Sequence, residues 1–162
     1  MSELRATLNM VFYTPRFSDG NLILAEMAES ISNDAKKNIR SQNQPDGSPF
    51  TPLAPTTIKR KRAKGSATPT KALMDTGLMI RSIAALKVKE NMYAIGIIPR
   101  GEPPRDLIAY IHQEEGVNKF TRIIRKFLGI SDKRMDWIEA RFYRWVKDRI
   151  RKSDIKLKTY HS

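Results

Sequence analysis

The feature that most constrains this chain is a proline-rich segment near its middle. Five of its nine prolines fall within residues 43–70, together with Gly47, Gly65 and several Ser and Thr. Proline fixes φ and lacks a backbone N–H, so it interrupts helices and central strands. Pro45-Asp46-Gly47 predicts a turn, because Gly accepts the positive φ that the turn needs. We expect the rest of the segment to be irregular and extended, and to be ordered by a neighbouring subunit or a nucleic acid.

Two amphipathic helices are predicted on either side of this segment. Over residues 20–42, and again over 131–151, apolar residues recur at spacings of three and four, which places them on one helix face. In the second helix, Ser131 suits the N-cap, and the charge of Asp132 suits the helix dipole. The periodic residues of the first helix are Leu24, Met27, Ile31, Ala35 and Ile39. Those of the second are Met135, Ile138, Phe142, Trp145, Val146 and Ile150.

A third helix and a β-hairpin are predicted between the proline-rich segment and the last helix. Residues 71–83 keep a helical spacing of apolar side chains. Residues 85–89 alternate apolar and basic side chains, and residues 92–98 are rich in β-formers. Glu90-Asn91 between them suits a tight connection, so the two runs predict a hairpin.

Three shorter pieces are less defined. Residues 10–13 and residues 120–127 each predict a strand, whereas the apolar piece at 107–112 suits either a helix or a strand. These elements together predict an α+β fold, in which a small antiparallel sheet packs with two main helices beside long irregular extended segments.

The length of the chain favours one domain. A chain of 162 residues is too short for two well-buried domains. We assign residues 1–152 to a single α+β domain that contains the long loop at 43–70. Residues 153–162 lack periodicity and are expected to be a loose C-terminal tail.

The positive charge of the chain is unevenly distributed. There are 30 Lys and Arg against 17 Asp and Glu, a net charge of +13, yet residues 1–50 carry five basic and six acidic groups. Part of the excess is one run at 59–64. Such a basic field favours a polyanion such as nucleic acid, although it also keeps a chain soluble or pairs with acidic groups such as Glu26 and Glu29 of another subunit. The predicted contacts with nucleic acid or an acidic partner are Lys59, Arg60, Lys61, Arg62 and Lys64.

Five residues are candidates for a protein interface. Phe50 and Leu53 are apolar anchors of the otherwise polar segment at 43–70. Trp137 falls on the opposite side of its helix from the apolar face, near Arg141 and Arg144. Aromatic and Arg side chains together are typical of interfaces, and the alternative is that another element of the same domain covers the Trp.

Several function classes lack support in the sequence. The chain has no Cys, no glycine-rich phosphate loop, no signal-like N-terminus and no apolar run that could span a membrane. His112 with Glu114 and Glu115 is a conceivable metal site, but such a His is more often a hydrogen-bonded structural residue. We predict no enzymatic activity, no catalytic residue and no cofactor.

Five short motifs occur in order within residues 35–150. They are Pro45-Asp46-Gly47-Ser48-Pro49 with Phe50, Pro52-Leu53-Ala54-Pro55-Thr56-Thr57, Leu73-Met74-Asp75-Thr76-Gly77-Leu78 with Ser82-Ile83, Ile111-His112-Gln113, and Phe127-Leu128-Gly129-Ile130-Ser131-Asp132. The series resembles the phage virion morphogenesis family, the tail-completion proteins of Mu-like and related contractile-tailed bacteriophages. One departure concerns the fourth motif, since the family has one residue between Gln and Gly where this chain has Glu114-Glu115 between Gln113 and Gly116.

The resemblance implies a non-enzymatic structural protein of the phage neck, which completes the tail and joins it to the head as a ring around the DNA path. The implied partners are further copies of the chain, with a hexamer as one option, other neck and tail proteins, and transiting genomic DNA bound without sequence specificity. Its location would be the virion, after assembly in the host cytoplasm, with no membrane contact. The alternative from the residues alone is a free DNA- or RNA-binding protein without sequence specificity.

Overall fold

The chain folds as two compact units. The computed structural model describes residues 7–8, 20–99, 104–117 and 122–159, and its two units are residues 1–130 and residues 131–162. Helices occur together with an antiparallel sheet, which confirms the α+β class. The assignment of residues 1–152 to a single domain stays a prediction.

The first helix supplies the main apolar face of the first unit. Helix α1, Gly20–Ser41, confirms the helix predicted over 20–42, and its five periodic residues are each 2% exposed or less. This helix packs against strands β2 (Ile83–Lys89) and β3 (Met92–Ile97). Each buried apolar side chain contributes about 1.5–3 kcal/mol. The hydrophobic period therefore predicts both the helix and the face that it buries.

The sheet has three antiparallel strands in the order β1-β3-β2, where β1 is Thr7–Leu8. Strands β2 and β3 are the predicted hairpin, and Asn91 in its turn has φ +55°. The side-chain oxygen of Asn21 accepts a hydrogen bond from the backbone N–H of Asn91 at 2.9 Å. This bond holds the hairpin turn at the start of α1. The strand predicted at 10–13 lies outside the described residues.

The proline-rich segment begins with the predicted turn. Gly47 has φ +86°, and its N–H donates to the carbonyl of Gln44 at 2.9 Å. The carboxylate of Asp46 accepts hydrogen bonds from the hydroxyl of Ser48 at 2.6 Å and from its N–H at 2.9 Å, and these bonds lower the pKa of Asp46. Phe50 then donates its N–H to the carbonyl of Gln42 at 2.7 Å, so residues 42–50 form a closed loop.

The expectation that residues 43–70 are irregular is wrong in its second half, where helix α2 spans Pro55–Ala63. Pro55 stands at the first helical position, where a missing N–H costs nothing and the fixed φ is already helical. Lys and Arg, which are good helix formers, supply four of the eight following residues. The hydrophobic period does not reveal this helix because Ile58 is its only large apolar residue.

The helix predicted over 71–83 is mostly wrong. Only Leu78–Ser82, helix α3, is helical, and β2 begins at the next residue. Leu73 and Gly77 have φ values of +58° and +73°, which are incompatible with a right-handed helix. The carbonyls before α3 turn towards the side chain of Lys61 instead of closing helical hydrogen bonds.

The undecided apolar piece is helical. Helix α4, Arg105–Tyr110, continues directly into a π turn at Ile111–Glu115. A π turn holds one residue more than an α turn.

The strand predicted at 120–127 is absent from its described part, residues 122–127. Arg125 donates its N–H to the carbonyl of His112 at 2.8 Å, and Val117 donates its N–H to the carbonyl of Ile123 at 3.1 Å. These single bonds attach the segment to the π turn and the residues after it, so no strand ladder forms within residues 122–127. Gly129, further along, lies so close to Pro45 that an added Cβ would stand 2.7 Å from the proline ring.

The second unit contains helix α5, Asp132–Thr159. The predicted N-cap is confirmed, because the hydroxyl of Ser131 accepts a hydrogen bond from the N–H of Arg134 at 3.2 Å. The helix predicted over 131–151 runs further than expected, through much of the segment predicted to be a tail.

Candidate functional site

The first unit carries a cleft of about 710 Å³ that we take as the candidate functional site. Its lining comes from residues 53–64, 71–79, 105–117 and 123–125. Three of the five motifs that carry the family resemblance contribute to it. Their lining residues are Leu53, Ala54, Thr57, Leu73, Asp75, Thr76, Gly77, Leu78 and His112. The motifs are scattered along the chain and converge on this one surface.

A buried lysine shapes one wall of the cleft. Lys61 on α2 is only 8% exposed, and its ammonium donates to the carbonyls of Thr68 at 2.8 Å and Lys71 at 2.7 Å. Burial lowers the pKa of Lys61, and the charge of Asp75 opposes that shift. The hydroxyl of Thr68 also donates to the carbonyl of Met74. The ammonium of Lys61 thus fixes the course of the loop between α2 and α3 through hydrogen bonds to its backbone carbonyls.

A glutamine ties the same loop to the end of α1. The side-chain oxygen of Gln42 accepts from the N–H of Ala72 at 2.6 Å, and its amide nitrogen donates to the carbonyl of Ala72 at 3.0 Å. Gln42 itself has φ +60°, a left-handed conformation that directs its side chain to Ala72, thirty residues further along the sequence. The ammonium of Lys71 adds a bond to the carbonyl of Arg40 at 3.0 Å.

A buried arginine holds a second wall. Arg125 is 3% exposed, and its guanidinium donates to the carbonyls of Thr51 at 2.8 Å and Pro52 at 3.1 Å. Proline-rich backbone cannot form a ladder, so a side-chain donor that satisfies its carbonyls fixes its course. This contact fixes the segment that leads into Leu53 and α2.

In the Ile-His-Gln motif, too, a side chain bonds to backbone that is distant in the sequence. The amide nitrogen of Gln113 donates to the carbonyl of Leu128 at 2.8 Å. Its side-chain oxygen accepts from the N–H groups of Phe127 at 3.1 Å and Leu128 at 3.2 Å. Both the amide and the backbone groups it bonds are buried, so Gln113 replaces a missing strand partner for the Phe-Leu-Gly motif.

His112, next to this glutamine, lines the cleft as a neutral imidazole. Burial, together with the charge of Arg125, lowers the pKa of His112 from 6.5 to about 4. Its Nδ1 is buried and has no hydrogen-bond partner among the described residues, and the same holds for Nε of Arg105. Within the described parts of the chain, no group of three or more His, Asp or Glu could hold a metal ion.

The charge of the cleft is predominantly positive. Its cationic side chains are Arg60, Lys61, Lys64, Lys71, Arg105 and Arg125, and the one acid among the described lining residues is Asp75. Apolar side chains such as Leu53, Leu73 and Ile123 supply much of the remaining lining. A cleft of this composition is suited to a ligand that is partly apolar and negatively charged.

The predicted basic contact run separates into three parts on α2. Arg60 and Lys64, one helical turn apart, line the cleft. Lys59 and Arg62 are exposed and do not line it. Lys61 points inward to backbone carbonyls, so it is removed from the predicted contact surface. For the other four, contact with nucleic acid or an acidic partner stays a prediction.

The predicted interface residues of the first unit also differ from one another. Phe50 is 5% exposed and belongs to the core, which argues against a direct role in an interface. Leu53 is half-buried and lines the cleft, where a partner can reach it. The sequence interpretation missed Gln42 and Arg125, and named Gln113 only as part of a motif, because nothing in a single sequence marks a polar side chain that bonds to distant backbone.

The aromatic site predicted on the last helix carries a cation–π contact. The guanidinium of Arg134 lies 4.8 Å from the ring centroid of Trp137, which is half-buried. Arg141 is also half-buried, whereas Arg144 is exposed. An interface role for these three predicted residues stays a prediction. None of the described helices is long and apolar enough to cross a membrane.

Comparison with known proteins gives one match. The family model described as the phage virion morphogenesis family matches residues 1–147 of the chain. No curated protein matches the chain, and no solved structure matches it.

Proposed function

The chain belongs to the phage virion morphogenesis family, and from this premise we propose that it completes the phage tail and joins it to the DNA-filled head as a ring of identical subunits. Family membership indicates a structural role in building the virion. The observation that carries the proposal is the extent of the match, which covers both the cleft and most of helix α5.

The cleft supports a structural role over a catalytic one. The family motifs that meet there supply an apolar and cationic surface, and their polar groups are engaged in holding backbone segments. The one histidine of the cleft is neutral and buried, with a pKa of about 4, so it is a poor proton carrier near neutral pH. Such a surface binds another protein segment without reacting with it.

The outward side of α2 supports contact with DNA along the path through the ring. Lys59 and Arg62 are exposed on the side of α2 away from the cleft. Lys and Arg that neutralise phosphates bind DNA without reading its sequence, as a passage for a moving genome requires.

The proposal is tested with a phage in which the reading frame of this chain is interrupted. Filled heads and finished-length tails should accumulate separately, and the intact chain supplied in trans should restore joined particles, as counted by electron microscopy. Purified particles should contain the chain in a fixed copy number, measured by quantitative mass spectrometry. Joined, infectious particles that lack the chain would refute the proposal.

A free nucleic-acid-binding protein is the second candidate, favoured by the exposed pair Lys59 and Arg62. It predicts that the isolated chain binds duplex or single-stranded nucleic acid with an affinity that falls steeply with salt. The variant Lys59→Gln/Arg62→Gln should then bind more weakly, while Lys36→Gln/Lys37→Gln on α1 serves as the control. Absence of binding at low salt excludes this candidate and leaves the first one standing.

A further inference from the structure

We propose that the cleft of one subunit receives the first three turns of helix α5 from a neighbouring copy. The inference rests on the proposed function in that repeated contacts of this kind build the ring. The surface that docks is the α5 stripe, which we define as Asp132, Met135, Asp136, Glu139 and Tyr143.

The α5 stripe is a continuous and accessible surface. Its residues are spaced by three or four positions or by one, so they share one sector of the helix. All five are exposed, and the apolar members Met135 and Tyr143 are 37% and 70% exposed. An exposed Tyr and Met among three carboxylates is an unusual surface for a helix that faces only water. The stripe therefore has the chemistry of a docking surface.

The charges of the stripe and the cleft are complementary. The cleft presents Arg60 on α2 and Lys64, the C-cap residue four positions later, and the stripe presents Asp132 and Asp136 at the same spacing on α5. Side chains four residues apart on a helix lie about 5–6 Å from each other. Two helices that lie side by side can therefore align two opposite-charge pairs in register, and Glu139 extends the acidic series by one further turn.

The apolar parts of the two surfaces also correspond. Val117 on the cleft lining is 50% exposed, and Leu53 and Leu73, which also line the cleft, are half-buried. Met135 and Tyr143 of the stripe are apolar or amphipathic side chains that can cover them. Covering these residues would remove apolar surface from water on both subunits, which is the main favourable contribution to protein association.

A second copy of the chain fits the cleft better than an unrelated acidic partner, because one chain carries both complementary surfaces on different units. Two different patches that recognise each other make a heterologous contact, and such a contact repeated by rotation closes a ring. The exposed α1 residues Leu22, Glu26 and Glu29 form another surface that combines an apolar side chain with acids. It carries two acids where the stripe carries three, and it is the competing docking surface.

The test uses charge reversal in the full chain. Arg60→Glu/Lys64→Glu reverses the cleft, and Asp132→Lys/Asp136→Lys reverses the stripe. All four residues are exposed, so the fold should persist, as checked by circular dichroism. Each variant alone should self-associate roughly 100-fold more weakly in sedimentation velocity, since two attractive pairs become repulsive at roughly tenfold each. Glu26→Lys/Glu29→Lys tests the competing pairing of the basic run with α1 and should associate like the unmodified chain, whereas a loss of association confined to this variant would assign the cleft to α1.

Reciprocal rescue identifies the pairing directly. An equimolar mixture of the two reversed variants should regain an association constant within roughly tenfold of that of the unmodified chain, because each reversed surface then meets one of opposite charge. A chain that stays monomeric at every concentration, an unchanged association of either variant, or a mixture without rescue would overturn the inference. The proposed function is judged separately by the joining of heads and tails, so either can fail while the other stands.

Discussion

Helix α1 with its hairpin and the walls of the cleft are stabilised by different interactions. On α1, the five periodic residues are nearly inaccessible to water, and the helix packs against the sheet. Around the cleft, the charged side chains of Lys61 and Arg125 reach backbone carbonyls that secondary structure leaves unpaired. The first region is specified by a pattern of apolar residues along the chain. The second is specified by single polar residues whose partners are distant in sequence. Its stability therefore depends far more on charge and pH.

The largest effect is expected from a truncation in the α1 core. Ile31→Ala should lower the free energy of unfolding by about 4 kcal/mol, because it removes buried apolar surface and leaves a cavity. Ile31 is 1% exposed, whereas Leu22 on the same helix is 73% exposed. Leu22→Ala is therefore the matched control and should change the free energy by less than about 0.5 kcal/mol. Urea denaturation measures both, and equal effects would show that α1 is not the apolar centre of its unit.

A smaller effect is expected from loss of the buried ammonium. Lys61→Met should lower the free energy of unfolding by about 3 kcal/mol, because the carbonyls of Thr68 and Lys71 would lose charged donors. Its neighbour Lys59 is exposed on the same helix, so Lys59→Met should be nearly neutral. If Lys61→Met leaves the free energy of unfolding unchanged, the loop before α3 keeps its course without the cation. Thermal denaturation at neutral pH distinguishes these outcomes.

The smallest effect concerns pH and arises at His112. Burial, with Arg125 nearby, lowers the pKa of His112 from 6.5 to about 4, so the unfolded chain binds a proton before the folded chain does. Stability from this group is fully present above pH 6.5 and is lost as the pH falls towards 4. Between pH 7 and pH 5 the loss should be about 2 kcal/mol.

His112→Gln removes the titrating group and should reduce the acid sensitivity of the unfolding free energy by that amount. An identical pH profile for the His112 variant and the unmodified chain would show that the imidazole is not neutral and buried in solution.

Prediction from the sequence succeeded where local patterns determine the structure. The α1 face, the hairpin with its turn at Glu90-Asn91, and the cap at Ser131 were each predicted and are each observed. These elements depend on period, turn residues and capping, which are properties of neighbouring residues. The fold class followed from their order.

Prediction failed where a distant polar group decides the backbone course. The carbonyls of 68–74 bond to Lys61 in place of a helix, although the apolar spacing there is helical. Helix α2 has too few apolar residues to show a period, and the prolines before it favour a loop. The basic run looks like one surface in the sequence, since the inward direction of Lys61 becomes visible only when the loop around it is known.

The contact of Gly129 with Pro45 has a consequence for how this sequence can vary over time. An added Cβ at position 129 would stand 2.7 Å from the proline ring. A substitution at one of the two positions is therefore expected to require a substitution at the other. A relative with a side chain at the first position is expected to carry a smaller residue, or a displaced turn, at the second. The Pro-Asp-Gly and Phe-Leu-Gly motifs would then be inherited together, although more than eighty residues separate them in the sequence.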